Sequence, residues 1–442
     1  MLNRYPCFLS SLTLLLITVG CTSTVTQNSP APLPSSPQVE TSTPSPTPST
    51  PLLATGQPSS ATNAQMQAYV NQLTAQGFAA ASQGVWMQTD TSLLANYQGT
   101  VPLSAASLTK VATSLAALHT LTPNHRFVTE ISTTGTIQNG VLQGDLIIQG
   151  GEDPFFVWEE AIAVGNALNQ LKIQQVTGSL IIVGKFYMNF EVDPLQSGRL
   201  LKQAINAASW SGEVTTQYQT LPAGTPKPRV SIVGGVKRLA TKPAGAKPML
   251  RHASLPLAEL LKKMNRYSNN AMAEMIADAV GGAPVVAQKV VAVTRVPASE
   301  VQLVNGSGLS VENRLSPRSV CAMFRAIARY LQPYEMTIAD IFTQIGQDEG
   351  ILDQRSLPSL AVVKSGSLDA VSALAGALPT ENQGLVWFVI MNGGTNLEGF
   401  RASQEALLQQ LVNQWGAARS LPATLTPNPK REKLTAQIEI VQ

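Results

Sequence analysis

The sequence predicts an α+β fold, and three observations carry that reading. "QGVWMQT", from Gln83, has the make-up of an early strand, and "SLAVVKSGS", "VSALAGAL" and "GLVWFVIMNGG" form three successive apolar, β-rich runs late in the chain. Directly after them, "ASQEALLQQLVNQW" repeats its apolar residues at helical spacing and supplies a closing helix over the sheet. Strands grouped apart from helices belong to α+β folds, whereas alternating strands and helices would give a parallel sheet.

Composition sets the limits. The chain has 442 residues, 44% hydrophobic and 13% charged, enough to bury a large core in more than one structural unit. Its formal net charge of +3 and the lack of a basic run interleaved with aromatics exclude a nucleic-acid partner.

The N-terminus reads as a leader. "MLNRYPCFLSSLTLLLITVGC" carries one basic residue, Arg4, and then an apolar run from Phe8 to Val19, too short for a stop-transfer helix and right for a signal peptide over residues 1–21. It closes on Thr18-Val19-Gly20-Cys21, which resembles a bacterial lipobox, although Thr18 stands where Leu is usual. Lipidation of Cys21, simple secretory cleavage nearby and an uncleaved anchor all put the remainder of the chain in the periplasm or cell envelope. Residues 22–62 are rich in Pro, Ser and Thr, with too little apolar surface to repay ordering, so a disordered tether is expected. At about 3.1 Å per residue such a segment reaches on the order of 100 Å.

Cysteine and histidine chemistry is excluded by pattern. Beyond the leader's Cys7 and Cys21 the chain has only Cys321, in the helical stretch "SVCAMFRAIARYL", which reads as a buried structural thiol. His119, His125 and His252 form no H-E-x-x-H and stand near no cluster of Cys and carboxylates, so neither a metal nor another cofactor is expected. No serine lies in a G-x-S-x-G elbow, which argues against a Ser-His-Asp hydrolase.

A different serine arrangement stands at the head of "SAASLTKVATSLAALHTL". A helix turns 100° per residue, so Ser107 and Lys110 project from one side, an amine within reach of a hydroxyl. The plain alternative is a polar first turn. Where no histidine serves, a lysine kept neutral by burial beside another cation acts as base to a serine nucleophile. "LAVVKSGSLDAVSALAGAL" offers that cation as Lys364, with Ser365, then Gly366 to let backbones approach closely, then Ser367, whose amide can face an oxyanion. Between the two, "LAELLKKMNRYSNNAMAEMIADAV" shows helical periodicity broken at Tyr267-Ser268-Asn269-Asn270, where the plain reading is an N-cap. The order S-x-x-K, S-x-N, K-S-G is the one found in penicillin-binding proteins and serine β-lactamases.

These residues resemble the low-molecular-mass class C penicillin-binding proteins, the D-alanyl-D-alanine carboxypeptidase/endopeptidases of peptidase family S13. "SLTKVATSLAALHTLTPNHRFVTEI", "GDLIIQGGEDP", "NGSGLSVENRLSP" and "KSGSLDAVSALAG" resemble further family segments. Two motifs depart: the family usually has Ser-Asp-Asn and Lys-Thr-Gly where this chain has Ser268-Asn269-Asn270 and Lys364-Ser365-Gly366, although Ser365 keeps the hydroxyl. The stretch between the first two motifs is also shorter than in better-known members, which implies a reduced insertion module.

The resemblance implies a penicillin-binding-protein/serine β-lactamase-like fold, an antiparallel sheet flanked by helices plus a helical subdomain. The catalytic domain would comprise 63–135 and 249–416, interrupted by a 136–248 insertion, with 417–442 a loosely ordered tail. It implies peptidoglycan stem peptides as substrate and β-lactam antibiotics as inhibitors, with Ser107 attacking the penultimate D-Ala carbonyl and Lys110 accepting its proton. Ser268 would relay a proton to the leaving amine, and Asn270 would bind substrate amide. Lys364 and Ser365 would receive the terminal carboxylate, and the amides of Ser107 and Ser367 the oxyanion. A serine β-lactamase is the weaker alternative, for want of an E-x-x-x-N deacylating segment. A silent cell-wall-binding relative is opposed by the retention of every motif residue.

Overall fold

In the computed structural model the residues described are 51–441, so the leader, Cys21 and most of the tether lie outside them. Order begins before the expected boundary at 62: Ala54 is buried, Leu52 and Leu53 pack on the core, and the Arg325 guanidinium donates to the carbonyls of Pro51 and Leu52.

Along the chain, helix α1 (Ser60–Ala75) leads to strands β1 (Gln83–Gln88) and β2 (Leu93–Tyr97) and then to α2 (Thr109–Leu121). A second group comes after it: β3 (Val128–Thr133), β4 (Leu146–Gly151), α3 (Trp158–Gln170), β5 (Leu180–Lys185), β6 (Val236–Leu239) and β7 (Lys247–Ala253). Four helices come next, α4 (Leu257–Arg266), α5 (Asn270–Ala279), α6 (Ala283–Thr294) and α7 (Pro317–Leu331). The chain then returns through β8 (Thr343–Gln344), β9 (Val362–Leu368), β10 (Val371–Thr380) and β11 (Gly384–Gly393) to α8 (Leu397–Trp415) and β12 (Gln437–Ile440).

The early strand and the three late ones join in one antiparallel sheet ordered β8-β9-β10-β11-β1-β2. Every residue of β10 is buried, which is why "VSALAGAL" is apolar throughout instead of alternating: helices cover both faces. Against one face α1 and α8 pack Met66, Leu73, Leu407 and Leu411; against the other, α2, α4, α5 and α7 build the larger core around Leu115, Leu261, Ile276 and Phe324. Helix α2 is buried from Thr109 to Leu118, so it is the central post of the helical layer and no one-sided surface helix. Cys321 lies in α7 at 1% exposure, and burial pushes its thiol up to about 12, in keeping with a structural role.

The middle group forms a separate mixed sheet, β6-β5-β4-β3-β7-β12, with its own core. Its bounds differ from the expected 136–248, because β3 and β7, read as catalytic-domain residues, pair with each other inside this sheet. The tail differs too. Gln437–Ile440 pairs antiparallel with Leu250–Ala253, Leu425 is fully buried in the main core, and Arg431 forms a two-pronged ion pair with Glu259 of α4. Its high Pro and Lys content hid these anchors, because a single buried Leu and a four-residue edge strand leave little periodicity to read.

Leu425→Ala should therefore cost about 2 to 5 kcal/mol, the range for emptying a buried leucine site. A shift below about 0.5 kcal/mol in urea unfolding, within the range of ordinary surface changes, would show a loosely ordered tail after all.

Candidate active site

The site forms where three segments distant in sequence meet. Ser107 sits in a single tight turn, residues 106–108, that feeds α2, and Ala106 before it has φ of 44°, a left-handed conformation unusual for alanine. That bend is clamped from outside. A Cβ on Gly308 would lie 1.9 Å from the Ala106 carbonyl oxygen, and Gly308 itself has φ of +85°, so only glycine lets the 305–308 loop lie this close. On the other side, a Cβ on Gly366 would come within 2.8 Å of the Ala105 carbonyl oxygen and 3.0 Å of the Ser107 nitrogen, which sets β9 against the same turn.

Lys110, one turn further on, is fully buried. Its Nζ lies 2.9 Å from Ser107 Oγ, 2.7 Å from Asn270 Oδ1 and 2.7 Å from the Ser307 carbonyl oxygen. The last of these acceptors is itself held in place. Glu274, one turn beyond Asn270 on α5, accepts from the backbone N–H groups of Gly306 and Ser307, each at 2.9 Å, and Thr113 Oγ1 donates to the Gly306 carbonyl at 2.7 Å. Asn305 and Asn313 tie the rest of that loop together.

Ser268 and Asn270 enter by way of the break between α4 and α5. Asn269 is the N-cap, its side chain accepting from the Met272 N–H at 2.9 Å, while Ser268 takes φ of 50° and lines the cavity. Capping duty on the middle residue accounts for Asn269 in place of Asp, since either side chain caps well. Lys364 Nζ donates to Ser268 Oγ at 3.0 Å and to the Ser365 carbonyl at 2.6 Å. The outer edge of β9 is paired by β8 only at Val362 and Val363, so among the described residues no strand covers it from Lys364 to Leu368.

Ser107, Ser268, Asn270, Ser365, Ser367, Arg355 and Arg401 open onto one cavity of about 330 Å³. Another cavity, of about 830 Å³, is lined by Phe155, Lys263, Tyr267 and Arg431, but none of the motif residues reaches it, so chemistry and not volume locates the site.

Burial sets the electrostatics. It lowers the Lys110 ammonium from the ordinary lysine range to about 7, with the Glu274 carboxylate pulling the other way. Lys364 is driven well below the lysine range, first by burial and then by the positive charge of Lys110. Burial is the larger cause at both lysines, and at Lys364 the charge of Lys110 acts in the same direction. Among the described residues no group of His, Cys, Asp and Glu is placed to hold a metal ion.

All eight residues singled out from the motifs converge here. Sequence reasoning missed Glu274, Thr113 and the Ser307 carbonyl. The first two were legible as same-face neighbours, four residues from Asn270 and three from Lys110, and the third lies in "NGSGLSVENRLSP".

Together the fold and this constellation define a serine peptidase of the penicillin-binding-protein class. The family profile described as D-Ala-D-Ala carboxypeptidase 3 (S13) matches residues 63–187 and 227–414, and the chain belongs to that family. A carboxypeptidase of Mycobacterium tuberculosis is 26% identical over 359 residues, covering 70% of this chain and 75% of its own. The D-alanyl-D-alanine carboxypeptidase DacB of Haemophilus influenzae is 22% identical, over 68% and 83%. Among solved structures, a penicillin G-acylated predatory endopeptidase from Bdellovibrio bacteriovorus, in complex with an immunity protein, superposes with a TM-score of 0.64 at 20% identity, covering 80% of this chain and 99% of that one. Penicillin-binding protein 4 of Haemophilus influenzae does so at 0.59 and 20%, covering 79% and 99%. These likenesses establish the fold, and the family establishes a serine D-Ala-D-Ala carboxypeptidase.

Proposed function

We propose that Ser107 cleaves the D-Ala-D-Ala end of peptidoglycan stem peptides, or the cross-link between stems, through an acyl-enzyme with Lys110 as base. The observation that carries this reading is the triple coordination of Lys110. A neutral amine has two N–H bonds and one lone pair; Asn270 Oδ1 and the Ser307 carbonyl accept both hydrogens, so the lone pair is left for the Ser107 hydroxyl.

Ser107 Oγ, giving its proton to Lys110, bonds to the penultimate D-Ala carbonyl carbon, and the oxyanion rests on the amides of Ser107 and Ser367. The peptide lies along the uncovered edge of β9 and adds to the sheet as a strand does. With its oxygen turned to Lys110, Asn270 presents its amide hydrogens to substrate. Collapse breaks the C–N bond; the leaving amine takes its proton from Ser268, which Lys364 holds in place, and the proton that Lys110 accepted from Ser107 restores the Ser268 hydroxyl. Water then cleaves the ester and returns Ser107. The Ser365 and Ser367 hydroxyls reach the terminal carboxylate; Lys364, at 1% exposure and not lining the cavity, holds Ser268 in preference to the charge contact first expected of it. Penicillin and other β-lactams acylate the same serine.

Fluorescent penicillin followed by mass spectrometry should give one adduct, in the tryptic peptide containing Ser107, and no adduct there would support the silent relative. Folded Lys110→Ala should acylate at least about 100-fold more slowly, the scale of losing a positioned base. In wild type the rate should rise with pH through about 7 as Lys110 loses its proton. Glu274→Gln removes the charge that favours the ammonium, so this limb should move to lower pH; an unmoved limb, or labelling of Lys110→Ala at the wild-type rate, contradicts the assignment.

The leader supports export to the periplasm and anchoring through lipidated Cys21. Detergent phase partitioning should place wild type with the membrane and Cys21→Ala in the soluble fraction, and a soluble wild type would leave only a cleaved signal peptide.

A further inference from the structure

The cavity that holds Ser107 carries a cation for which the acyl-enzyme mechanism has no use. Lys110 and Lys364 lie beneath it and contribute nothing to its lining, which leaves two guanidinium groups, Arg355 and Arg401. Arg355 is committed elsewhere: it is ion-paired with Glu405, donates to Gln404 Oε1 at 3.2 Å and to the Arg401 carbonyl at 3.4 Å, and its side chain is 8% exposed.

Arg401, in the second turn of α8, is differently placed. Its Nη2 donates to Ser367 Oγ at 3.2 Å and its Nη1 to Glu398, three residues back, at 2.6 Å. The pair is loose, with the arginine side chain 31% and the glutamate 80% exposed. An exposed pair one helical turn apart holds only weakly against water, so Glu398 is readily exchanged for a better anion. Ser365 and Ser367 are two residues apart on β9 and share a face, so an anion resting on their hydroxyls also meets the guanidinium. A planar fork of donors suits a carboxylate, which it grips in two places.

We propose that Arg401 is the specificity-determining countercharge for the free C-terminal carboxylate of the substrate, exchanging Glu398 for that carboxylate beside Ser365 and Ser367. The inference rests on the reading of this cavity as the D-Ala-D-Ala site and deepens it. A substrate whose C-terminus is an uncharged amide forfeits this contact and keeps every other.

The test compares kcat/KM on one stem-peptide analogue ending in D-Ala-D-Ala with its C-terminal amide, using wild type, Arg401→Gln and Arg401→Lys, with the thermal midpoint of each. Wild type should favour the acid by roughly ten- to a hundredfold, the scale of a charge-assisted contact. Arg401→Gln should lose that factor on the acid alone and bring the ratio near one, while Arg401→Lys, which retains charge without the fork, should fall between. Among the described residues the guanidinium donates to Ser367 and Glu398 alone, so the midpoint should hardly move. An unchanged ratio in Arg401→Gln, or an equal fall on both forms, overturns the inference while leaving Ser107 in place. A wild type that turns over neither form overturns the reading of the site, and this inference with it.

Discussion

A lysine amine buried against three oxygens is the constraint on which the rest of the architecture depends. Charged, Lys110 would donate to all three acceptors; discharged, it keeps two and offers its lone pair to the third, Ser107. Burial shifts the balance to where both forms exist near neutral pH. Each surrounding element holds one of those oxygens. The strained turn at Ala106 fixes Ser107, the cap at Asn269 aims Asn270, and Glu274 with Thr113 pins the loop that presents the Ser307 carbonyl.

This arrangement works against stability. A lysine whose ammonium is disfavoured in the folded state leaves the unfolded chain binding more protons between about pH 7 and the ordinary lysine range, so folding is weaker at neutral pH than toward the alkaline end of that window. Lys364 adds to the same cost in the same direction. The dense cores above and below the antiparallel sheet offset it, and the mixed sheet and tail extend the molecule without supplying any of the groups around Lys110.

How far the sequence could be read depends on range. The strands of the antiparallel sheet and the closing helix are legible because each is a long, apolar, locally patterned run. The motif triplets are legible because their chemistry is local, as with one helical turn from Ser107 to Lys110. What escapes depends on partners far along the chain. Glu274 looks like any exposed helical carboxylate until its bonds to the 306–307 amides are known. Asn269, a departure from the usual family motif, is the cap. At both lysines burial is the larger cause of the lowered pKa, and its extent is something no local pattern reports. At the tail, Leu425 and the edge strand owe their order wholly to surfaces built by residues far earlier in the chain.

The most direct test of the central claim is a titration of Lys110 itself. Lysine-selective isotope labelling, with the Lys110 signal assigned by its loss in Lys110→Ala, lets NMR follow the side chain across the neutral and alkaline range. A midpoint near 7 is the expected result. A midpoint near the ordinary value of about 10.5 would mean that the amine is charged at working pH, and that something other than Lys110 takes the proton from Ser107.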